Sequence, residues 1–573
     1  MPEKIWDIIN KKLEIYDKIQ IDANPHFAPR QKDILDLIDF YWVNKYRDNA
    51  FDSTGFKKAF FNIVIPPTEI SAKMIDFDTK DIRIIAEDGQ SYYPSWFMSK
   101  DLKIWMKDKK NNDGKTFGQF LNQIVFSYPK YGHLLVKKAK ETVHLVPLKN
   151  IRNQPNANSV LASDLIIEEH SYTPYQLRQQ GWDNVEAVIS KYEDEGFVKV
   201  IECQGDVGSA FNYFIMPERA EDDEIMFFDK IDRQDLYREI KWDEIPGRAL
   251  GRGQPERLFE AQIAKNQQEH WLRSGQRWSS KHIFQTRDDT IARNLINQID
   301  SGEILTVLSE ISPISVEERN LPAYNWLDQK WDRHIQELTF SYNQIKGERP
   351  PAGTPLGTSV LQTQMAVQYF DLKREDLGLF LKDILFNWIL PEFKKQKRGK
   401  HNLMLQGEFD EEELDKLRNL ILTNRTNRAI LRYLTKNLYL PSSKEAELLK
   451  SIEKERINKI KGLEIPDDYY EDLKYKIDII LTNEQLDVSA RMTTLQTILQ
   501  IIGSNPTILR EPRTRKVFYK MIDLAGFSPI DFGIEETGEV EQIISGQMAE
   551  LGGSIARPRP AATPTRTTMP TTL

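Results

Sequence analysis

Two long helical periods meet at an eleven-residue segment rich in proline and glycine, and this arrangement constrains the chain more than any other feature. A helix is predicted over about 320–346, where Leu327, Trp331, Ile335, Leu338, Tyr342 and Ile345 recur at steps of three and four. It runs into Gly347-Glu348-Arg349-Pro350-Pro351-Ala352-Gly353-Thr354-Pro355-Leu356-Gly357, and a second long helix is predicted over about 358–397. Pro350, Pro351 and Pro355 restrict the backbone, while Gly347, Gly353 and Gly357 permit bends. Nothing in the segment is equipped for covalent chemistry. A stiff turn between long helices is a mechanical or contact element.

At 573 residues the chain exceeds one typical domain and can bury a sizeable core. A net charge of -8 neither requires nor excludes nucleic acid, because it hides local asymmetry. One cysteine, Cys203, excludes an intramolecular disulfide framework and a thiolate metal cluster, and fits a reducing compartment. The opening Met-Pro-Glu-Lys-Ile-Trp lacks the pattern of a signal peptide. The apolar runs are too short to span a bilayer, so no membrane partner is expected.

The pattern changes along the chain. Residues 1–54 read as helical, with Ile5, Ile9, Leu13 and Tyr16 on one face. Residues 55–250 favour short strands, at Phe60–Ile65, Ile82–Ala86, His133–Lys138, Thr142–Val146, Val198–Glu202 and Phe211–Ile215. Helices interrupt them near Thr116–Phe126 and Thr173–Tyr192, the latter with Pro174 in its first turn. This describes an α+β unit of mostly antiparallel hairpins. From Pro255 the chain turns helical, with a compact strand-bearing segment at about 284–318. The long helix after the Pro/Gly segment is expected to stop at Pro391, followed by Lys394, Lys395, Lys397, Arg398 and Lys400. These five residues are candidates for contact with DNA or with an acidic neighbouring surface, and such cations equally suit a helix C-terminus. Residues 409–530 read as mostly helical, and 552–573 have the composition of a disordered tail.

A search for catalytic chemistry finds little. Asn111-Asn112-Asp113-Gly114-Lys115-Thr116 ends like a phosphate-binding loop, but Lys109 stands where that loop needs its first glycine. The segment reads as an exposed turn. No two histidines have zinc-site spacing, and there is no Gly-x-Ser-x-Gly elbow. No metal, cofactor or enzymatic activity is therefore expected. The acidic pairs Asp222-Asp223 and Asp288-Asp289 leave a nuclease assembled from dispersed residues as a remote alternative. Lys103, Lys107, Lys109, Lys110 and Lys115 surround Trp105, with Trp96 and Phe97 upstream. This composition suits either phosphate contacts with aromatic packing or a solvated lysine-rich loop.

Several pieces in order resemble a tailed-bacteriophage portal protein of the short-tailed-phage type. Gly251-Arg252-Gly253 and Pro255-Glu256-Arg257-Leu258 resemble the turn into a first stem helix. Asp300-Ser301-Gly302-Glu303-Ile304 lies in the place of the clip, and Trp326 to Ile345 in that of the second stem helix. Pro350 to Gly357 sits where such proteins carry the tunnel loop. Val143–Leu148 and Glu168–Thr173 resemble the β-rich wing.

The resemblance implies an α+β portal fold. Its divisions are an N-terminal helical segment (1–54), wing (55–250), first stem region (251–283), clip (284–318) and second stem helix (319–346). The tunnel loop (347–357), long wing helix (358–399), distal wing and crown (400–551) and tail (552–573) follow. It implies a homo-oligomer of twelve copies at a capsid vertex in the virion, assembled in the host cytoplasm. Double-stranded DNA would pass Lys346, Gly347, Glu348, Arg349, Pro350, Pro351, Gly353, Pro355 and Gly357. The clip would meet the packaging terminase and later the tail adaptor, and the ring would meet the major capsid or scaffold protein. Without the resemblance, the same residues suit a protein-binding structural scaffold of another assembly.

Overall fold

The computed structural model describes residues 5–22, 31–42, most of 51–279, 283–287, 308–314, 321–342 and 356–399, with short pieces between 401 and 500. The chain divides into two compact units. One comprises residues 1–404 and 420–481; of the other, 405–419 with 482–573, only residues 419 and 500 are described. The first unit is a mixed α+β fold.

It begins with helices α1 (Ile5–Asp22), α2 (Gln31–Trp42) and α3 (Ile65–Met74), then strand β1 (Ile82–Ala86), α4 (Tyr92–Asp108) and α5 (Phe117–Tyr131). Strands β2 (His133–Ala139), β3 (Thr142–Leu145), β4 (Ile151–Arg152) and β5 (Leu165–Tyr172) lead to α6 (Pro174–Gln180) and α7 (Val185–Tyr192). The β-rich part closes with β6 (Val198–Asp206), β7 (Phe211–Pro217), β8 (Phe227–Asp229), α8 (Arg233–Leu236) and β9 (Tyr237–Lys241).

Two antiparallel sheets result, β3-β2-β9 and β4-β5-β6-β7-β8. Leu135, Val146, Ile166, Val200, Ile215 and Tyr237 belong to the core cluster that joins them. On the other face of the larger sheet, Leu165, Ile167, Ile201, Cys203, Phe214 and Met216 pack under Ile9 of α1. β5 is thus buried on both sides, which accounts for its unbroken Leu165-Ile166-Ile167 run. The amphipathic stripe of α1 supplies the cover, with Ile9 and Tyr16 buried. The stretch Thr173–Tyr192 is two helices rather than the expected one. Gly181 ends α6 with φ of 68°, and Asn184 enters α7 with φ of 56°. Thr173 and Gln176 form a capping box, and Pro174 occupies the first turn.

The expected strand at Phe60–Ile65 does not form: Phe60–Ile63 has no strand partner, Val64 adopts helical dihedrals and Ile65 opens α3. The backbone of Phe60–Ile63 is bonded instead by side chains of a helix. Phe61 N donates to Asn266 Oδ1 at 2.9 Å, Ile63 N donates to Gln262 Oε1 at 2.9 Å, and Gln262 Nε2 donates back to Phe61 O at 2.6 Å. Those amides lie on α10 (Phe259–Ser279), which follows the short α9 (Gln254–Arg257). Pairing with a segment about two hundred residues away explains why a buried helix face carries Gln262 and Asn266.

The turn into α10 crosses α5 at three glycines. Gly132, which caps α5 at φ of 71°, has no space for a side chain: a Cβ there would lie 2.1 Å from Gly253 N. A Cβ on Gly251 would meet Gly132 O at 2.1 Å, and one on Gly253 would meet Lys130 O at 2.7 Å. Trp242 N donates to Gly132 O at 2.9 Å at the same crossing. Arg248 holds Glu256 through two bonds of 2.6 and 2.8 Å, and Arg257 Nε reaches Asp243 at 2.9 Å. These pairs tie the start of the helical part to the sheet.

α10 runs antiparallel to α11 (Leu321–Thr339). Arg257 reaches Leu338 O, whereas Gln268, further along α10, reaches Tyr324 O at 3.0 Å. Between the two helices, β10 (Ile283–Gln285) pairs antiparallel with β11 (Ser312–Ile314). α11 ends at Thr339 rather than near 346, because Phe340 adopts φ of 55° and stacks on Tyr369 at 4.3 Å. Thr339 is buried, with its hydroxyl bonded to Ile335 O at 2.7 Å.

α12 (Leu356–Ile384) buries Ala366, Phe370, Leu377, Leu381 and Ile384. The helical path does not stop at Pro391 but continues into α13 (Leu390–Gln396) through a π turn at Leu385–Ile389. The wider turn has Leu390 N donating to Leu385 O, one residue beyond the α pattern. Pro391, which has no N–H to lose, then occupies the first turn of the next helix.

Three short strands follow: β12 (His401–Asn402), β13 (Glu464–Ile465) and β14 (Tyr475–Ile479). β12 pairs with β13, and β14 pairs with the distant β1. Residues 464–465 and 475–479 therefore depart from the expected helix over 409–530. Among the described residues, no helix is long and apolar enough to cross a membrane.

Candidate functional site

The candidate DNA-channel residues Lys346, Gly347, Glu348, Arg349, Pro350, Pro351, Gly353 and Pro355 lie outside the described residues, as do the clip candidates Asp300, Ser301, Gly302, Glu303 and Ile304. Gly357 is described, and it lies in the first turn of α12 rather than in a loop. Of the basic group, Lys400 is outside the described residues.

The other four cations sit at the end of α13, each beside a partner. Lys394 Nζ lies 4.4 Å over the Tyr475 ring, and Lys395 is 3.2 Å from Glu392. Lys397 is 3.1 Å from the buried Asp101, and Arg398 is 2.8 Å from Glu471. Their positions match the favourable end of the helix dipole. The Lys395 and Arg398 side chains remain 74% and 69% exposed, so both keep a solvent face that a phosphate can approach.

The aromatic group near Trp105 is core. Trp96, Phe97 and Trp105 are buried on α4, and Trp105 Nε1 donates to Gln396 Oε1 at 2.9 Å. These rings are therefore not a platform for stacking bases. Asn111 N donates to Lys115 O at 2.8 Å, Gly114 N donates to Asn111 O at 2.9 Å, and Thr116 caps α5 in a box with Gln119; Asn112 and Asp113 lie outside the described residues.

The strongest concentration of charge lies where sequence spacing gave no signal, between the two sheets. Lys137 of β2 points at Glu168 of β5, 2.8 Å from Oε1, and also pairs with Glu202 of β6. Glu168 and Glu202 are direct cross-strand partners. Two like charges in that register repel, and Lys137 between them offsets the repulsion. Tyr213 donates to Glu202 Oε2 at 3.1 Å, and Tyr237 donates to Glu168 Oε1. His170, two residues beyond Glu168 on the same face of β5, places Nε2 3.3 Å from Glu168 Oε2 and 3.6 Å from Glu202 Oε1.

Burial alone would push the Lys137 ammonium down, but Glu168, Tyr237 and Glu202 outweigh it and hold it well above its ordinary range. Burial would likewise raise Glu168, yet Lys137 and His170 outweigh it and hold the carboxyl well below the usual range. Burial and the neighbouring carboxylates keep the Tyr237 phenol protonated as a donor. The centre is thus a fixed arrangement of charges that joins three strands. Nearby Cys203 is buried, and burial pushes its thiol well above the ordinary value, which makes it unreactive. The i, i+2 spacing of Glu168 and His170 was the available signal, but only the fold brings Lys137 and Glu202 to it.

No protein-family model matches the sequence, and no curated protein matches it. Among solved structures, the chain is similar to one described as the neck of an empty GTA particle computed with C6 symmetry. The identity is 11% and the TM-score 0.36, over 74% of this chain and 95% of that one.

Proposed function

We propose that the chain is a non-enzymatic subunit of a viral portal ring. Twelve copies surround a channel through which double-stranded DNA enters a capsid and later leaves it. The observation that supports this reading is the sequence of parts around α10 and α11. Two antiparallel helices are joined through the β10–β11 ribbon, preceded by a β-rich unit and followed by the long α12. In this reading the helix pair is the stem and the ribbon carries the clip, which includes Asp300–Ile304. The packaging terminase docks there and supplies ATP hydrolysis, and the tail adaptor replaces it later. Lys346 and Gly347–Gly357 face the duplex and contact it loosely, without reading bases.

A ring needs two different faces on each copy. Ile263 and Trp271 on α10 and Trp326 on α11 are at least half exposed, and Met365, Leu372 and Leu379 repeat every seven residues on α12 with similar exposure. These two apolar sets supply faces for neighbouring copies. Native mass spectrometry and negative-stain imaging of the purified chain test the proposal. The expected particle is an annulus of about twelve times the 66.9 kDa chain. A chain that stays monomeric across salt and protein concentration, with or without a capsid or scaffold partner, overturns it.

A further inference from the structure

The buried charge centre is incomplete as an ion network. Lys137, Tyr213 and Tyr237 all hold the oxygens that face away from His170, namely Glu168 Oε1 and Glu202 Oε2. The oxygens on the other side, Glu168 Oε2 and Glu202 Oε1, converge on His170 Nε2. Glu168 is 99% buried, since its relative exposure is 1%, and its Oε2 makes no hydrogen bond; neither does the buried His170 Nε2. Two carboxylates against one ammonium leave a net negative charge in a place that water barely reaches. A buried acceptor of this kind, with only an imidazole nitrogen 3.3 Å away, calls for an explanation, and a bound ion is one.

The three inward atoms all lie within 4.8 Å of one another. Four ligands at zinc distances of about 2.0–2.2 Å stand roughly 3.3–3.6 Å apart in a tetrahedron. The two measured separations from His170 Nε2, 3.3 and 3.6 Å, fall on that edge length. The outer bonds from Tyr213 and Tyr237 orient the carboxylates as second-shell groups do in metal sites. His170 is the most exposed of the three, at 18% of its side chain, and opens the centre towards solvent.

We propose that His170 Nε2, Glu168 Oε2 and Glu202 Oε1 form a site for a divalent cation of the zinc class. One nitrogen and two carboxylate oxygens suit that class, and the fourth position, on the His170 side, takes water. The ion would pin β5 to β6 in the β-rich unit. The site does not depend on the ring proposal, since all of its ligands come from one copy.

The test uses the full chain, stripped with a chelator and titrated with Zn²⁺ by calorimetry, with Co²⁺ as a spectroscopic probe. The expected result is one ion per chain at micromolar or tighter Kd and a Co²⁺ visible spectrum of tetrahedral intensity. His170→Ala, at the edge of the centre, should weaken binding at least tenfold and abolish that spectrum while far-UV circular dichroism stays unchanged. Lys137→Met should tighten binding, because it removes the cation that competes for both carboxylates. Absence of Zn²⁺ binding at concentrations up to about 100 μM overturns the proposal. Binding that survives His170→Ala overturns it equally.

Discussion

Replacing Lys137 with methionine removes the ammonium from between Glu168 and Glu202 while keeping most of the aliphatic stem. Both carboxylates are under a tenth exposed and stand opposite each other across β5 and β6. In the chelator-stripped chain their tyrosine bonds persist, but the ammonium no longer offsets the repulsion. Removing one partner from a buried ion pair costs about 3–5 kcal/mol. At 1.36 kcal/mol per factor of ten, this opens the strands on the order of 10²–10⁴ times more often. Amide hydrogen exchange read by mass spectrometry on peptides covering 165–172 and 198–206 reports that opening directly. The triple variant Lys137→Met with Glu168→Gln and Glu202→Gln should recover much of the protection, since it leaves no buried charge uncompensated. Arg178→Ala, which removes an exposed pair with Glu186, should leave exchange of these strands unchanged. Protection in the single variant within fivefold of the parent would refute the electrostatic account of this centre.

Three further outcomes follow from the same structure. Acid should weaken the β-rich unit before general acid unfolding. His133 is fully buried and burial lowers it to about 3, so the unfolded chain takes up its proton near pH 6.5 and stability falls from there towards pH 3, by at most about 1.4 kcal/mol per unit. Glu168, held below its ordinary range, loses stability in the same direction at lower pH. A urea midpoint flat from pH 7 to pH 4, or one unaffected by His133→Gln, would contradict this. Gly253→Ala should cost about 1–3 kcal/mol, because its Cβ would press on Lys130 O and Pro129 O, whereas Gly399→Ala meets open space and should be neutral in the same denaturation assay. Lys397→Ala should cost about 2 kcal/mol by removing the ion pair of the buried Asp101, while Lys395→Ala should stay within about 0.5 kcal/mol; thermal melts that rank them the other way would refute the assignment.

The elements governed by local periodicity were legible in the sequence. The stripe of α1, the pair β2–β3, and strands β6 and β7 follow from residues whose neighbours decide their state. Errors arose where a distant partner decides. The stretch around Phe60 has the composition of a strand, yet the groups that satisfy its backbone are the amides of Gln262 and Asn266. β14 alternates Tyr475, Ile477 and Ile479 but lies in a tract read as helical, and its partner β1 is nearly four hundred residues away. Pro391 marks a helix end by the usual rule, and the π turn before it removes the reason for the rule. The charge centre was hidden for a related cause. Lys137, Glu168 and Glu202 each look like the outward residue of an alternating strand, and only two facing sheets turn that outward side inward. The candidate channel and clip residues rested on resemblance in the order of elements, since no local chemistry marks them.

The crossing of Gly132, Gly251 and Gly253 also bears on recognising remote kin of this chain. Where main chain touches main chain, no alternative side chain can be accommodated by repacking neighbours, so the usual freedom to drift is absent at three separated positions at once. Most of the surrounding core tolerates exchange among apolar residues of similar volume. Chains that share this junction should therefore keep a small fingerprint after general similarity has decayed: a glycine ending the helix before the first long hairpin, and a Gly-x-Gly entering the helical half. That fingerprint marks a common geometry more sharply than overall identity does.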